Sequence, residues 1–351
     1  MARAEPSAGP APIRRTEARA GIAADAIAVS ALIAEGRPVI LKGAACDWPL
    51  VRAGLASPTA AATMLRAVDG GRPVVVYVGD PAIRGRFHYT ADGTAMNFTS
   101  ERAALGAVLD RLLTLPDSEE APSLYVGSTD LDMFLPGLRA ANDIVPADGT
   151  FAEHPPLASI WIGNRTIAAT HWDMSNNLAV CVAGRRRFTL FPPDQTSNLY
   201  PGPIDPTPAG QVVSMVDLRA PDLTRYPRFA DALAAAEVAE LEPGDVLVYP
   251  ALWWHHVEAL DGFNILVNYW WNSVPAFLDS PMTTLLHGLL SLRGRPDSEK
   301  QAWRAMFDHY LFGPTETATA HLPAIAQGPL APLDAMAARR LRAMVAQKLN
   351  R

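Results

Sequence analysis

The order of apolar and polar residues divides the chain into three stretches. Between residues 158 and 273, short apolar runs, one of them at 210–218, alternate with turns rich in Pro, Gly and Asp. Many short strands at this spacing predict an antiparallel sandwich or barrel of the jelly-roll kind. Six of the eight tryptophans lie in this stretch, which suits a tightly packed β core. The predicted fold class is therefore mainly β with helical additions.

The stretch before residue 158 mixes strand and helix patterns. The apolar run at 21–36 predicts a surface helix, and it is too short and too polar to span a bilayer. Residues 99–115 predict another helix, because apolar residues recur at helical spacing after Ser100, a residue type that caps helices. Three β-branched runs predict strands at 37–43, 72–79 and 123–128. N-terminal α/β elements therefore flank the barrel.

The stretch after Pro275 has the apolar spacing of helices. Ser280 followed by Pro281 is typical of a helix start, and three apolar stripes follow. These helices either cover the barrel or form a dimer surface, and the pattern alone does not choose. We predict a flexible tail at 1–20, a barrel domain with N-terminal helices and strands at 21–275, and a helical segment at 276–351 that mediates a homodimer.

Composition narrows the classes of protein. The 351 residues are 49% hydrophobic and 19% charged, which is typical of a globular protein with a substantial core. The net charge of −6 does not favour a nucleic-acid-binding surface spread over the protein. Cys46 and Cys181 form no metal or disulfide pattern, which favours a reducing compartment. Because the first residues do not read as a secretory signal either, we expect a cytoplasmic protein without a membrane partner.

The segment ATHWDMSNN carries the first candidate chemistry. In a strand, His171 and Asp173 share one face, because successive side chains alternate. A lone His-x-Asp is more often a half-buried strand with two polar residues. Later, the pair His255-His256 follows another predicted strand, and only one of the two can point inward. If His255 returns to the face of His171, the two imidazoles and the carboxylate form the facial triad of Fe(II) oxygenases.

The segment AGRRRFTLFPPDQ carries the second candidate. Strand alternation places Arg186 on the same face as Phe188, and Arg185 and Arg187 on the opposite face. An arginine that points into a barrel needs an anion, and a carboxylate ligand meets that need with paired hydrogen bonds. A run of charges is usually a solvated face, and that interpretation remains for Arg185 and Arg187.

Three segments together resemble the JmjC/cupin-like 2-oxoglutarate oxygenases: THWDMSNNLAVCVAGRRRFTLFPPDQTSNLYPGP, LEPGDVLVYPALWWHHVEAL and VNYWW. Within that family the chain is most similar to the asparaginyl hydroxylase subgroup around factor inhibiting HIF, which the segment PVILKGAACDWPLVRAG also resembles. The resemblance covers residues 36–275. It implies a double-stranded β-helix, or cupin barrel, that binds Fe(II) and 2-oxoglutarate and uses O₂ as oxidant.

The resemblance also implies residue roles. It implies His171, Asp173 and His255 as iron ligands, and no catalytic residue beyond the metal centre. For the co-substrate pocket it implies Tyr125, Asn177, Asn268 and Trp270, and it places Arg186 where the family has a lysine. The alternatives are purely structural roles: Tyr125 at a strand edge, Asn177 as the cap of a turn and Trp270 in the core. A family threonine corresponds to Thr166 or Thr170, which flank Ala168.

The implied reaction is hydroxylation of a substrate C–H bond, with succinate and CO₂ as co-products. A polypeptide side chain is the expected substrate, with a small molecule as the alternative. Because Arg186 replaces a lysine, a cupin metalloenzyme that does not use 2-oxoglutarate stays open. The third interpretation is a non-catalytic metal-binding scaffold that binds a partner.

Overall fold

The structure is a computed structural model that describes residues 13–208 and 210–350. Contacts along the chain divide it into two compact units, Met1–Asn272 and Ser273–Arg351. The first unit carries the strands, and the second is helical.

In its described residues, the first unit has fifteen strands: β1 (Arg14–Arg15), β2 (Glu17–Ala20), β3 (Val39–Lys42), β4 (Val74–Gly79), β5 (Arg86–Phe87), β6 (Phe98–Ala103), β7 (Ser123–Asp130), β8 (Leu157–Gly163), β9 (Ile167–Trp172), β10 (Asn176–Ala183), β11 (Arg186–Phe191), β12 (Glu237–Leu241), β13 (Val246–Tyr249), β14 (Trp254–Ala259) and β15 (Asn264–Trp271). They form a six-stranded sheet in the order β1-β12-β11-β14-β9-β5 and a nine-stranded sheet in the order β2-β3-β13-β10-β15-β8-β7-β4-β6. Most neighbours are antiparallel; β1 with β12, β2 with β3, and β5 with β9 are parallel.

The helices of this unit are short. Their bounds are α1 (Val29–Ala34), α2 (Pro49–Ala56), α3 (Pro58–Ala67), α4 (Leu105–Thr114), α5 (Leu131–Phe134), α6 (Thr150–Glu153) and α7 (Phe229–Ala235). Leu50, Leu65 and Leu109 from three of these helices belong to one buried apolar cluster with strand residues of the nine-stranded sheet. These three helices, α2, α3 and α4, therefore cover one face of that sheet.

The two sheets face each other across an apolar layer. Phe188 and Leu241 of the six-stranded sheet pack with Leu247, Tyr249 and Leu266 of the nine-stranded sheet. Inward apolar residues alternate along the strands, as in two packed antiparallel sheets. The fold is a jelly-roll barrel with helical additions, which confirms the predicted class.

The structure differs from the helix predicted over 99–115. Residues Phe98–Ala103 form β6, which pairs antiparallel with β4, and α4 starts only at Leu105. Ser100 is therefore a strand residue and not a helix cap. The apolar spacing of α4 agrees with the prediction, but the helix starts later than predicted, because the edge strand before it consists mostly of polar residues and lacks a strand pattern.

Two further segments differ from their prediction. Residues 1–12 of the predicted tail lie outside the described residues, and the residues that follow are not a tail, since β1 and β2 pair with β12 and β3. Segment 210–218, predicted as a strand, makes only isolated bridges through Val213 and Ser214. The Ser214 N–H donates to the Thr170 carbonyl at 2.7 Å and the Met215 N–H to the Tyr200 carbonyl at 3.0 Å, so the backbone bonds of this segment reach two different segments and form no regular ladder.

The second unit contains α8 (Pro281–Leu292), α9 (Asp297–Phe307), a π-helical turn (Asp308–Phe312), α10 (Thr315–Thr319) and α11 (Ala335–Leu349). The Ser280 hydroxyl accepts a bond from the Met282 N–H and so caps α8. Many apolar side chains of this unit are exposed, among them Leu290, Phe312 and Ile325. Among the described residues, none of the helices combines the length and the apolar character needed to cross a bilayer.

Candidate metal centre and its cavity

Two neighbouring strands of the six-stranded sheet bring three candidate ligands together. His171 lies on β9, Asp173 directly follows that strand, and His255 on β14 is the register partner of His171. The two imidazole centroids are 4.2 Å apart. One donor atom from each residue lies within 4.8 Å of the others, and Asp173 Oδ2 is 3.6 Å from His255 Nε2. The predicted triad therefore forms one cluster that is able to hold a metal ion.

Backbone contacts orient both imidazoles. His171 Nδ1 lies 2.8 Å from the Ala169 carbonyl, and His255 Nδ1 lies 3.0 Å from the Trp253 carbonyl. Because a carbonyl only accepts, each Nδ1 carries the proton and each Nε2 keeps its lone pair for a metal. Burial, with neighbouring His171, lowers the pKa of His255 to about 4, so this ring is neutral at pH 7. Two imidazole nitrogens and one carboxylate oxygen are a donor set that suits Fe(II).

Arg186 on β11 lines the same cavity, although only 2% of it is exposed. Gly184, with φ of +68°, makes the turn before β11, and a side chain there would collide with the Phe263 carbonyl. Among the described residues, Nε and Nη2 of Arg186 have no hydrogen-bond partner. A buried guanidinium with two open donors is costly unless an anion meets it.

Tyr125 on β7 lies against the Arg186 guanidinium. Burial raises the pKa of Tyr125 to about 12, although the nearby guanidinium opposes the shift. The phenol therefore stays protonated at pH 7 and is able to donate a hydrogen bond to an anion that Arg186 attracts.

The arginines beside Arg186 point away from the cavity. Arg185 pairs with Asp261 at 2.7 Å, and Arg187 pairs with Glu240 at 2.9 Å. Both pairs are partly exposed to solvent. Strand alternation thus points Arg186 into the cavity and points Arg185 and Arg187 outward, where acidic side chains of the protein pair with them.

The cavity has a volume of about 390 Å³ and an aromatic wall. Tyr125 stacks between Phe87 and Trp161, with ring centroids 5.8 Å and 5.6 Å away, and Trp161 meets Trp270 edge-on at 5.6 Å. Beyond the three candidate ligands and Arg186, the described lining residues include no Asp, Glu, His, Lys or Arg. The acidic and basic side chains of the cavity are therefore concentrated at the His171, Asp173 and His255 triad and at the Arg186 guanidinium.

The other implied pocket residues are not equivalent. Asn268 and Trp270 line the cavity, whereas Asn177 is 1% exposed and is absent from its described lining. Asn177 Nδ2 donates to the Ser175 carbonyl at 2.9 Å, and its Oδ1 lies 3.0 Å from the side-chain amide of Asn268. The structure does not bring Asn177 to the ligand space; its side chain contacts Asn268, which lines the cavity.

Neither candidate threonine is among the described lining residues; Ala168 lines the cavity instead. Between β9 and β14 the register shifts, so that β9 carries one extra residue opposite its partner. Thr170 turns to the outer face, where its hydroxyl lies 3.4 Å from His256 Nδ1. The bulge explains why simple alternation could not place Thr166 or Thr170.

Sequence reasoning missed the aromatic residues that the N-terminal part contributes to the cavity. They are Tyr77, Phe87 and Phe98. Tyr77 on β4 pairs with Tyr125 on β7, and Phe87 on β5 pairs with Ala168 on β9. Their only signal is an aromatic ring within or beside a strand pattern. That signal does not show which distant strand will lie beside it.

Comparison with known proteins identifies the class of protein. A family model described as a cupin-like domain matches residues 24–277. The chain therefore belongs to the cupin-like family, which confirms the resemblance to JmjC/cupin-like proteins. The narrower similarity to the factor-inhibiting-HIF subgroup stays a prediction.

Individual relatives carry diverse names. The chain is similar to Lysine-specific demethylase JMJ31 of Arabidopsis thaliana (34% identical over 139 residues, 37% of this chain and 25% of that protein). It is also similar to HSPB1-associated protein 1 of Rattus norvegicus (39% over 204 residues, 54% and 42%) and to tRNA wybutosine-synthesizing protein 5 of Danio rerio (36% over 107 residues, 30% and 30%). The chain spans less than half the length of each of these relatives.

Proposed function

We propose that the protein is an Fe(II)- and 2-oxoglutarate-dependent oxygenase that hydroxylates a substrate C–H bond. One observation carries the proposal: the buried Arg186 guanidinium, two of whose nitrogens have no partner among the described residues, lines the same cavity as the three candidate ligands. A dicarboxylate with an oxo group at one end fits such a cavity, because one end suits a metal and the other suits a guanidinium. In balance, substrate C–H, 2-oxoglutarate and O₂ give substrate C–OH, succinate and CO₂.

Each residue then has a physical task. His171, Asp173 and His255 would hold Fe(II), which when bound supplies the redox chemistry that activates O₂. The Arg186 guanidinium, with the Tyr125 phenol beside it, would hold the distal carboxylate of 2-oxoglutarate. The aromatic wall with Trp270 excludes water from the reacting atoms, and Asn268 offers an amide to the co-substrate.

The substrate that we propose is a polypeptide side chain. Two of the relatives bear names that refer to lysine or to a protein partner, which supports this choice, while a third name refers to tRNA. Leu157 and Met174 line the cavity and are 49% and 40% exposed, so its accessible part offers apolar contact area. A small-molecule substrate is the alternative. Mass spectrometry of proteins from cells with and without this chain should find a peptide heavier by one oxygen atom.

The reaction is tested by succinate formation from 2-oxoglutarate with Fe(II) and O₂. Wild type should form succinate slowly alone and faster with its substrate, and the His255→Ala variant should form none. Because Arg186 stands in place of a lysine, a cupin enzyme that does not use 2-oxoglutarate is the second candidate. Metal uptake without any succinate would favour that enzyme or a non-catalytic scaffold.

We also propose that the segment 276–351 mediates a homodimer, while the domain at 21–275 carries the reaction. Leu290, Phe312 and Ile325 are 81%, 79% and 97% exposed, and a dimer interface would bury apolar side chains of this kind. The full chain should size as a dimer at micromolar concentration, and truncation after Pro275 should give monomers or aggregates. A full chain that sizes as a monomer contradicts the dimer.

The compartment that we propose is the cytoplasm. Cys46 and Cys181 are both free thiols, which suits a reducing compartment. Cell fractionation tests this, and recovery of the chain from the secreted fraction contradicts it.

A further inference from the structure

The indole of Trp270 contacts a candidate metal ligand. Trp270 Nε1 donates to Asp173 Oδ2 at 3.0 Å. The same oxygen is the one that lies 3.6 Å from His255 Nε2. A carboxylate oxygen has two lone pairs, so Oδ2 is able to accept the indole bond and still offer electrons toward the histidines.

The backbone of Asp173 is already fixed, so the rotation of its carboxylate is the freedom that remains. The Leu252 N–H donates to the Asp173 carbonyl at 2.8 Å. Leu252 has φ of +67°, an unfavourable conformation for a leucine, which the surrounding loop must maintain. A fixed main chain with a free carboxylate would still point its oxygens in several directions.

Trp270 itself is held in place. It lies on β15 opposite Asn177 of β10, and its ring meets Trp161 edge-on at an interplanar angle of 81°. When the Asn268 amide nitrogen faces the Leu178 carbonyl, the Asn268 oxygen accepts from the same indole at 2.8 Å. A carboxylate oxygen is a stronger acceptor than an amide oxygen, because hydrogen bonds to charged groups are about twice as strong.

We propose that Trp270 is a positioning residue whose indole N–H holds the Asp173 carboxylate in the orientation that presents Oδ2 to the metal position. This inference rests on the proposed function, since it presumes that the triad binds a metal. It also gives Trp270 a task that another aromatic wall residue cannot perform. Hydrogen-bond partners of metal ligands typically change metal affinity by about 10- to 100-fold.

Co(II) is a suitable probe, because its visible absorption reports the ligands and geometry around the ion. Trp270→Phe keeps an aromatic ring in the wall and removes the N–H, and Trp161→Phe is the matched control in the same wall. Trp270→Phe should bind Co(II) about 10- to 100-fold more weakly than wild type, with a changed absorption spectrum. Trp161→Phe should keep both the affinity, within about 2-fold, and the spectrum.

A second variant separates positioning from packing. Trp270→Gln loses the ring but supplies an amide N–H, so it should recover part of the affinity and spectrum that Trp270→Phe loses. Trp270→Phe with the affinity and spectrum of wild type overturns the inference, and so does a Trp270→Gln that is no better than Trp270→Phe in proteins with equal metal-free melting temperatures. Failure of wild type to bind Co(II) would instead overturn the proposed metal centre.

Discussion

On the two faces of the six-stranded sheet, the same residue types have different surroundings. On the cavity face, Nε and Nη2 of Arg186 have no hydrogen-bond partner in the part of the chain that the structure describes, whereas on the outer face Arg187 pairs with Glu240 at 2.9 Å. On the next strand, His255 belongs to the candidate ligand triad with His171 and Asp173. His256 lies on the other face of the same strand, and burial lowers the pKa of His256 to about 3. Residue type alone therefore does not assign a role, and the face of the strand does. Each outer residue is a natural control for its inner neighbour.

The largest effect should come from the histidine pair. His255→Ala should weaken Fe(II) binding by more than about 100-fold, beyond the range typical for partners outside the metal sphere, because one of three ligands is lost. His171→Ala and Asp173→Ala should do the same, while the folded structure survives. Titration of the metal into each variant measures this.

The control for that experiment is His256→Ala, which should retain the metal. Its ring lies on the outer face beside Thr170. If His256→Ala loses the ion and His255→Ala keeps it, the assignment of the two faces is reversed.

The arginines should give the next largest effect. Arg186→Ala should weaken 2-oxoglutarate binding by about 100-fold, since a charge-assisted pair is worth about 3 kcal/mol, and it should leave metal affinity almost unchanged. Arg186→Lys should recover only part, because an ammonium does not replace a planar fork. Arg185→Ala and Arg187→Ala are the controls. A larger loss in either control would rule out the role of Arg186.

A buried histidine outside the candidate ligand triad, His88, should make the stability of the fold depend on pH. His88 Nε2 lies 3.0 Å from the Ser214 carbonyl, and burial lowers the pKa of His88 from 6.5 to about 4. Below pH 6.5 the unfolded chain therefore binds this proton more readily, and stability falls as the pH drops from 6.5 toward 4. Near pH 4.5 the loss should reach about 2 kcal/mol. Urea unfolding at pH 7 and 4.5 should show a smaller loss in His88→Gln than in wild type, and equal losses would contradict this.

The smallest effect should come from Tyr125. Tyr125→Phe removes one neutral donor next to Arg186 and keeps the ring, so 2-oxoglutarate affinity should fall by about tenfold or less. Tyr77→Phe on the neighbouring strand is the control and should change affinity by less than about twofold. Isothermal titration measures both, and an equal loss in the two variants would mean that the phenol of Tyr125 has no special role.

The alternation of side chains along a strand predicted much of the candidate ligand triad. His171 and Asp173 are two positions apart, so one strand face carries both without knowledge of the rest of the fold. The same rule separated Arg186 from its neighbours. The barrel itself was predictable, because many short strands between turns leave few other architectures.

Long-range pairing and local irregularity were not predictable. The bulge between β9 and β14 places Ala168 at the cavity and turns Thr170 outward. The residue types in this segment do not predict a bulge. Tyr77 and Phe98 reach the cavity only because β4 and β6 lie at one end of the nine-stranded sheet. The bond from Trp270 to Asp173 likewise depends on two strands that are far apart in the chain.

The central claim is that the Arg186 guanidinium binds the distal carboxylate of 2-oxoglutarate. A double-mutant cycle that combines a protein variant with a ligand variant tests this claim most directly. 2-Oxopentanoate has the same carbon chain and oxo acid end but lacks the distal carboxylate. Both ligands are titrated into metal-loaded wild type and Arg186→Ala, with O₂ excluded. We predict that Arg186→Ala weakens 2-oxoglutarate by about 100-fold and 2-oxopentanoate by less than about threefold. Equal losses for the two ligands would contradict the claim.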